Sequence, residues 1–447
     1  MTGKARFLLF SLLSLLICSI PPSTQSGGTT PILIERISVS FPPTQANGTS
    51  EWPAISQDGR YIVYHSNAPN LIPGDTNNTQ DIFLYDRLTR MTERVSLGVG
   101  GVQSNNRSGF ADLSSDGRYI IFHSEATNLV PNDTNNAWDI YFRDRQTGQF
   151  ERISVTSTGQ QANATSIFPD ISGGGRFITF YSEATNLVPN DTNGVEDVFL
   201  HDRLTGITER ISVTTNGVQS NGASIFPNIS NDGRYIVYES DGNNLVPNDT
   251  NNATDIFLYD RLNQTTQRIS LNSAEEQGNG NSSYAIIAAN NRHVTYVSFA
   301  SNMDPADPNT IGDIYVRDLV AGTTELISPG LNNQPSNGNS HYSVISDDGR
   351  FIAYHSESSN LVPNDTNSTP DVFLYDRLLG ITRRVSLSII GSQGNGPSRD
   401  VAISGNGRFI VFQSMASNLT SGDTNGMIDI FLYLDLPFRA YLPTTYR

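Results

Sequence analysis

The chain has 447 residues, 37% of them hydrophobic and only 16% charged, with 37 Gly, 22 Pro and one Cys. This composition rules out a coiled coil or long helical rod, and a single cysteine rules out a disulfide scaffold. The formal charge of −16 argues against sequence-blind binding to nucleic acid, which needs a basic surface.

In chain order, the first feature is an apolar stretch over residues 7–20, preceded by Lys4 and Arg6 and followed by Pro21, Pro22 and a polar run. A basic n-region and short h-region read as a secretory signal, residues 1–26, too short to span a bilayer. No other segment approaches 18 consecutive apolar residues. The rival reading is a lipoprotein anchored through Cys18, although Ile17 stands where a small residue is expected. Removing residues 1–26 takes away Lys4 and Arg6 and no acids, so the charge falls from −16 to −18. A secreted, periplasmic or cell-surface location follows, with no transmembrane segment in the cleaved chain.

An arginine after a turn sequence then recurs at Arg60, Arg118, Arg176, Arg234, Arg292, Arg350 and Arg408, every interval being 58 residues. Six residues after each stands a serine, from Ser66 and Ser124 through to Ser414. Each copy reads as four short strands. In the first copy these contain Ile55-Ser56, residues 60–66, residues 81–86 and residues 92–96, with Asp58-Gly59 supplying a tight hairpin. No segment has a sustained 3.6-residue apolar period. The fold class is therefore all-β: a seven-bladed β-propeller of 58-residue four-stranded blades over residues 31–443, because a ring buries each blade between two neighbours. Residues 32–38 carry the fourth-strand signature before any first strand, whereas the last copy ends in a decayed stretch, residues 438–442. The N-terminal strand is expected to complete the last blade.

The repeated pattern, carried for example by Ile171-Ser172, Gly175-Arg176, Asp197 to Arg203 and Thr205-Gly206, resembles the WD-repeat-like propeller repeats of the TolB C-terminal domain. The resemblance implies an exported propeller of bacterial type that binds other macromolecules. Two departures limit it: the units exceed the roughly 40–45 residues of a WD-type repeat, and TolB's separate N-terminal domain is missing. A role in that protein's envelope complex does not transfer.

The long second-to-third loop carries the most regular motif, Asp-x-Asn-x-x-x-Asp. Its seven copies are Asp75, Asn77, Asp81; Asp133, Asn135, Asp139; Asp191, Asn193, Asp197; Asp249, Asn251, Asp255; Asp307, Asn309, Asp313; Asp365, Asn367, Asp371; and Asp423, Asn425, Asp429. Hard oxygen ligands at positions 1, 3 and 7 of a tight turn suit calcium, although an EF-hand's acid at position 5 and bidentate Glu at position 12 are absent. The alternative is a metal-free loop held by successive Asx-turns. Zinc and redox metals lack the His or Cys they would need. By topology, all these loops project from one face, which is the natural ligand face.

Two further sets of positions repeat. His65, His123 and His355 share one second-strand position with Tyr181, Glu239, Val297 and Gln413. They read as ordinary packing before they read as an imidazole cluster. Trp52, Phe110, Phe168, Phe226, Tyr284 and Tyr342 begin the innermost strand, with Asp400 the exception. Blade-to-blade packing is the plainer account, and stacking of sugars at the channel mouth the functional one. The Asp86-Arg87 type of pair reads as a turn and surface-charge feature.

Catalysis needs an asymmetric constellation, and Asp304, Glu275, Glu276 and Asp400 are the only unique acids that stand out, with nothing to pair them. No Gly-x-Ser-x-Gly, His-Glu-x-x-His or phosphate loop is present. The expectation is a non-enzymatic binding or interaction module, monomeric, with an extracellular or envelope protein or a polysaccharide as partner. The alternatives are a structural surface protein and a propeller-type polysaccharide lyase or hydrolase.

Overall fold

The structure, a computed structural model, describes residues 33–435. The expected signal over residues 1–26, with Cys18, and the decayed strand at 438–442 lie outside the described residues. After β1 (Leu33–Arg36), the first repeat folds as an antiparallel meander of β2 (Ser50–Ile55), β3 (Tyr61–Ser66), β4 (Asp81–Asp86) and β5 (Met91–Arg94). β3 and β4 are buried along nearly their whole length, whereas β5 alternates with exposed positions. Central strands covered on both faces take continuous β-branched and aromatic runs, here Ile62-Val63-Tyr64 and Ile82-Phe83-Leu84-Tyr85. Five further four-stranded sheets repeat this order and a sixth joins three consecutive strands to β1, so the ring has seven blades. Among the described residues, helix is confined to one 3-10 turn, Leu331–Asn333.

The recurring arginine and serine have structural explanations. Arg60 donates through Nε and Nη2 to the two oxygens of Asp86 at 2.9 and 2.7 Å, tying the first turn to the end of β4. The same pair forms at Arg118–Asp144, Arg176–Asp202, Arg234–Asp260, Arg292–Asp318 and Arg350–Asp376. The repeated Asp is thus a hydrogen-bonded partner of a guanidinium, more than the surface-charge feature expected of it. Ser66 Oγ bonds Ser50 Oγ and donates to the Thr49 carbonyl, both at 2.9 Å, and accepts from the Ala68 N–H, fastening β2 to β3 where the long loop begins. Gly59 is required twice. Its φ is +76°, and a Cβ there would lie 2.2 Å from the ring of Phe409 on the seventh blade.

The core is divided among the blade junctions. Ile62, Tyr64, Phe83 and Tyr85 of the first blade pack with Val411, Ile430 and Leu432 of the seventh. Comparable clusters fill the other six junctions. Burial between neighbours is what a single blade could not achieve alone.

Two devices close the ring. β1 pairs antiparallel with the last blade's third strand, Asp429–Leu434, in the register Leu33↔Leu434 to Arg36↔Phe431. The N-terminal segment thus completes the seventh blade. On the tight-turn face, backbone N–H groups reach from blade to blade around the axis: Gln57 to Ser115, Ser115 to Gly173, Gly173 to Asn231, Asn290 to Asp347, Asp347 to Gly405, and Gly405 back to Gln57. Among the described residues, no helix is long and apolar enough to cross a membrane.

Candidate functional site

The acidic loops are held from within the protein. Asp81 is fully buried and accepts from Ser96 Oγ at 2.5 Å, Ser104 Oγ at 2.9 Å and Asn77 Nδ2 at 2.8 Å. Arg94, at the end of β5, lays its guanidinium against both carboxylates, 3.0 Å from Asp75 and 3.5 Å from Asp81. The arrangement repeats with Arg36 on Asp423 and Asp429, and with Arg152 on Asp133 and Asp139. Arg210 serves Asp191 and Asp197, Arg268 serves Asp249 and Asp255, and Arg384 serves Asp365 and Asp371. The Oδ1 atoms of Asn135, Asn251, Asn367 and Asn425 each accept the N–H two residues on, the geometry of an Asx-turn. In six loops, the position expected for calcium therefore already contains a cationic side chain. The fifth triplet, Asp307, Asn309 and Asp313, has no such arginine, and burial pushes Asp313 up to about 7. Among the described residues, no group of three or more His, Cys, Asp or Glu converges as metal ligands.

The axis carries the other candidate site. Trp52, Phe110, Phe168, Phe226, Tyr284, Tyr342 and Asp400 all have positive φ, between 39° and 54°. Each sits at a register irregularity of its first strand. Positive φ is unfavourable for residues with a Cβ, and its sevenfold occurrence marks it as architecture. The bulge turns these side chains toward the axis, where neighbouring rings meet. Centroids lie 4.6 Å apart for Trp52–Phe110, 4.2 Å for Phe110–Phe168, 4.7 Å for Phe168–Phe226 and 5.0 Å for Phe226–Tyr284.

The exposed N–H of each bulge needs an acceptor, and the repeated second-strand position of the preceding blade supplies it. His65 Nδ1 accepts from Phe110, His123 Nδ1 from Phe168 and His355 Nδ1 from Asp400, at 3.3–3.4 Å. Gln413 Oε1 and Glu239 Oε2 do the same for Trp52 and Tyr284, at 2.9 Å. The three histidines are therefore packing and acceptor groups, spread over separate junctions. Burial holds His123 well below its ordinary pKa and lowers His355 to about 3, which keeps both neutral.

Beneath the aromatics is a cavity of about 400 Å³. The seven residues facing it at the next inward position are Ala54, Asp112, Asp170, Asn228, Ile286, Val344 and Ala402. Three are polar, and they come from consecutive blades. The Asp112 and Asp170 carboxyls, on adjacent blades, are close neighbours facing the cavity. Asp170 Oδ2 also accepts from Asn228 Nδ2 at 2.8 Å and the Ile229 N–H at 2.5 Å, while Asn228 Oδ1 accepts from the Ile287 N–H at 2.9 Å. Burial raises both acids, and the neighbouring Asp112 charge pushes Asp170 further, well above the usual carboxylate range. Such a pair retains one proton that a lone carboxylate would lose. At the mouth, burial raises Asp400 to about 6. A ring of Ile55, Leu113, Ile171, Ile229, Ile287, Ile345 and Ile403 lies below, toward the tight-turn face.

Sequence reasoning missed Asp112 and Asp170. The signal was available: aligning the seven copies at this inward position isolates the two acids and an amide among apolar residues. Of the acids that were singled out, Asp400 alone lines the cavity. Glu275 pairs with Arg317, Glu276 accepts from Asn272, and Asp304 accepts from the Ala306 N–H, all on loops.

No family model matches the chain, and no curated protein matches it in sequence. Among solved structures, it is similar to an oligogalacturonate lyase from Vibrio parahaemolyticus: 13% identity, TM-score 0.54, covering 92% of this chain and 98% of that one. A second oligogalacturonate lyase, solved in complex with manganese, gives 13% identity and TM-score 0.55 over 92% and 97%. A putative TolB from Agrobacterium tumefaciens is also a neighbour, at 16% identity and TM-score 0.40 over 68% and 92%. At these identities the likeness shows the propeller fold.

The expectation of a non-enzymatic module is corrected here. Two propellers that share its fold over 92% of its length are lyases, and the reason given against catalysis, that nothing pairs the acids, fails at Asp112 and Asp170. The alternative of a propeller-type lyase or hydrolase fits better. Among the described residues, no third His, Cys, Asp or Glu joins Asp112 and Asp170 as a metal ligand.

Proposed function

We propose that the protein is a propeller-type enzyme that cleaves polysaccharide, as a lyase or hydrolase, in its axial channel. The observation that carries this reading is the pair of carboxyls Asp112 and Asp170, on adjacent blades, in an aromatic-rimmed cavity with Asn228 bonded to Asp170. Two carboxyls with one proton between them present an acid and a base in one place. In hydrolysis the ionised member takes a proton from the water whose oxygen bonds the anomeric carbon, while the protonated member gives one to the glycosidic oxygen as its bond to that carbon breaks. In elimination the base removes a ring proton instead, and the acid step is the same. Asn228 orients Asp170 by its 2.8 Å hydrogen bond. Trp52, Phe110 and Phe168 offer faces on which sugar rings stack. The fold shared with oligogalacturonate lyases supports the reading, and the basic and apolar residues 4–20 support an exported protein.

The test is incubation of the wild type, Asp112→Asn and Asp170→Asn with neutral and uronic-acid polysaccharides. New reducing ends and the ultraviolet absorbance of unsaturated products are followed. Loss of general acid–base catalysis should lower the rate about 100-fold or more in either variant. Equal rates in wild type and variants, or no product from the wild type on any glycan it binds, would remove the proposal.

A further inference from the structure

Six blades share a cation-on-two-carboxylates arrangement, and the fifth keeps the carboxylates without the cation. The position of Arg94 in the first blade is Leu326 in the fifth, and Leu326 packs against the core between the fourth and fifth blades. A second neutralising group is lost as well. Gln45, Gln161 and Gln393 each donate Nε2 to both acids of their loop at 2.7–3.1 Å. The corresponding residue in the fifth blade is Pro335, which has no donor.

The two acids are nevertheless as buried as their counterparts, Asp307 and Asp313 each being 1% exposed. Asp313 accepts from Ser328 Oγ at 2.5 Å and Ser336 Oγ at 3.0 Å, and Asp307 Oδ2 accepts from the Tyr315 hydroxyl at 2.6 Å. Asp307 Oδ1 is buried with no hydrogen-bond partner. An isolated buried carboxylate is costly, and a buried ionic group that has lost its partner is the costliest arrangement of all. In the other six blades the same two carboxylates lie 3.0–3.9 Å from guanidinium nitrogens, so the fold demonstrably seats positive charge there.

We propose that the fifth-blade loop binds one calcium ion in the space that an arginine fills in every other blade. The two carboxylates, with the Ser328, Ser336 and Tyr315 hydroxyls beside them, form an all-oxygen set, which suits a hard ion of flexible coordination. Zinc and copper would require the nitrogen or sulfur donors this loop lacks. Magnesium demands a tighter octahedron than an irregular loop offers. The site is separate from the channel residues, and it stands or falls independently of the catalytic reading.

Calorimetric titration of the full chain with calcium chloride tests this, alongside thermal melting in millimolar calcium and in chelator. Wild type is expected to bind a single ion and to melt about 2–4 °C higher with calcium. Leu326→Arg installs the sister-blade residue; it should bind none and melt at the same temperature in both buffers. Asp307→Asn should weaken binding at least tenfold, and it decides the matter if Leu326→Arg does not fold. Absence of binding by the wild type would mean that a proton or a monovalent ion neutralises the pair. That result, several ions per chain, or undiminished binding by Leu326→Arg or Asp307→Asn would each overturn the proposal.

Discussion

Replacing Arg94 with leucine recreates in the first blade what occurs naturally in the fifth. Arg94 is 5% exposed and Asp81 fully buried, so the substitution strands two carboxylates whose only nearby positive charge is 3.0–3.5 Å away. Breaking a buried pair from one side costs about 3–5 kcal/mol. The lower end applies here, because Asn77, Ser96 and Ser104 continue to donate to Asp81. For a domain of roughly 400 residues, an unfolding entropy of about 2.1 cal/mol/K per residue converts 3 kcal/mol into a Tm loss of about 4 °C. Scanning calorimetry at neutral pH in chelator would measure it. Millimolar calcium should return part of the loss, since the loop then resembles the proposed fifth-blade site. A loss under 1 °C would show that Asx-turns and serine hydroxyls alone hold these loops and that the guanidinium is incidental.

Thermal stability should be greatest at about pH 4–6 and decline toward pH 8. Burial raises Glu239 to about 7 and Asp400 to about 6, so their stabilising contribution is complete below the unfolded pKa and disappears as pH rises through those values. Asp86, held near 2 by its hydrogen bonds with Arg60, acts in the opposite sense, and its contribution disappears as pH falls through that value. A melting series from pH 3 to 8 reads both limbs; Glu239→Gln should flatten the alkaline one, and a steady rise from pH 5 to 8 would contradict the assignment. His123→Ala leaves the Phe168 N–H without its acceptor and should cost about 1–3 kcal/mol in denaturant unfolding. His123→Gln should recover most of that, as Gln413 performs the same task for Trp52. Gly59→Ala should cost roughly 2–4 kcal/mol, because strain at positive φ adds to the Phe409 clash. Gly148→Ala, with the same φ but open space around it, should cost only about 1 kcal/mol.

The blade architecture was legible because period and strand pattern coincide. Residues such as Ile62-Val63-Tyr64 recur at a fixed interval, and the orphan signature at residues 32–38 had only one place to pair. The acidic triplets were legible as loops but not as ion pairs. Their partner lies 19 residues beyond the first acid in five loops, as Arg94 does beyond Asp75, and at the far end of the chain for Arg36; only pairing of the third strand with the fourth brings the two together. The dyad was missed for a related reason. Asp112 and Asp170 are a whole repeat apart, and only the packing of adjacent blades around an axis places one carboxyl against the other. A motif search reads along one blade, whereas the chemistry here runs across blades.

The closing strand has a mechanical consequence. Leu33 faces Leu434, so the chain enters and leaves the ring at the same end of one antiparallel pair. A pull on the two ends would load that pair's hydrogen bonds one after another, as a zipper is opened, instead of shearing them all at once. The clasp would open at low force even if the ring resists heat, because forced opening follows the unfolding rate and not the equilibrium stability. After β1 is peeled away, strand Asp429–Leu434 becomes a bare edge, free to pair with another chain.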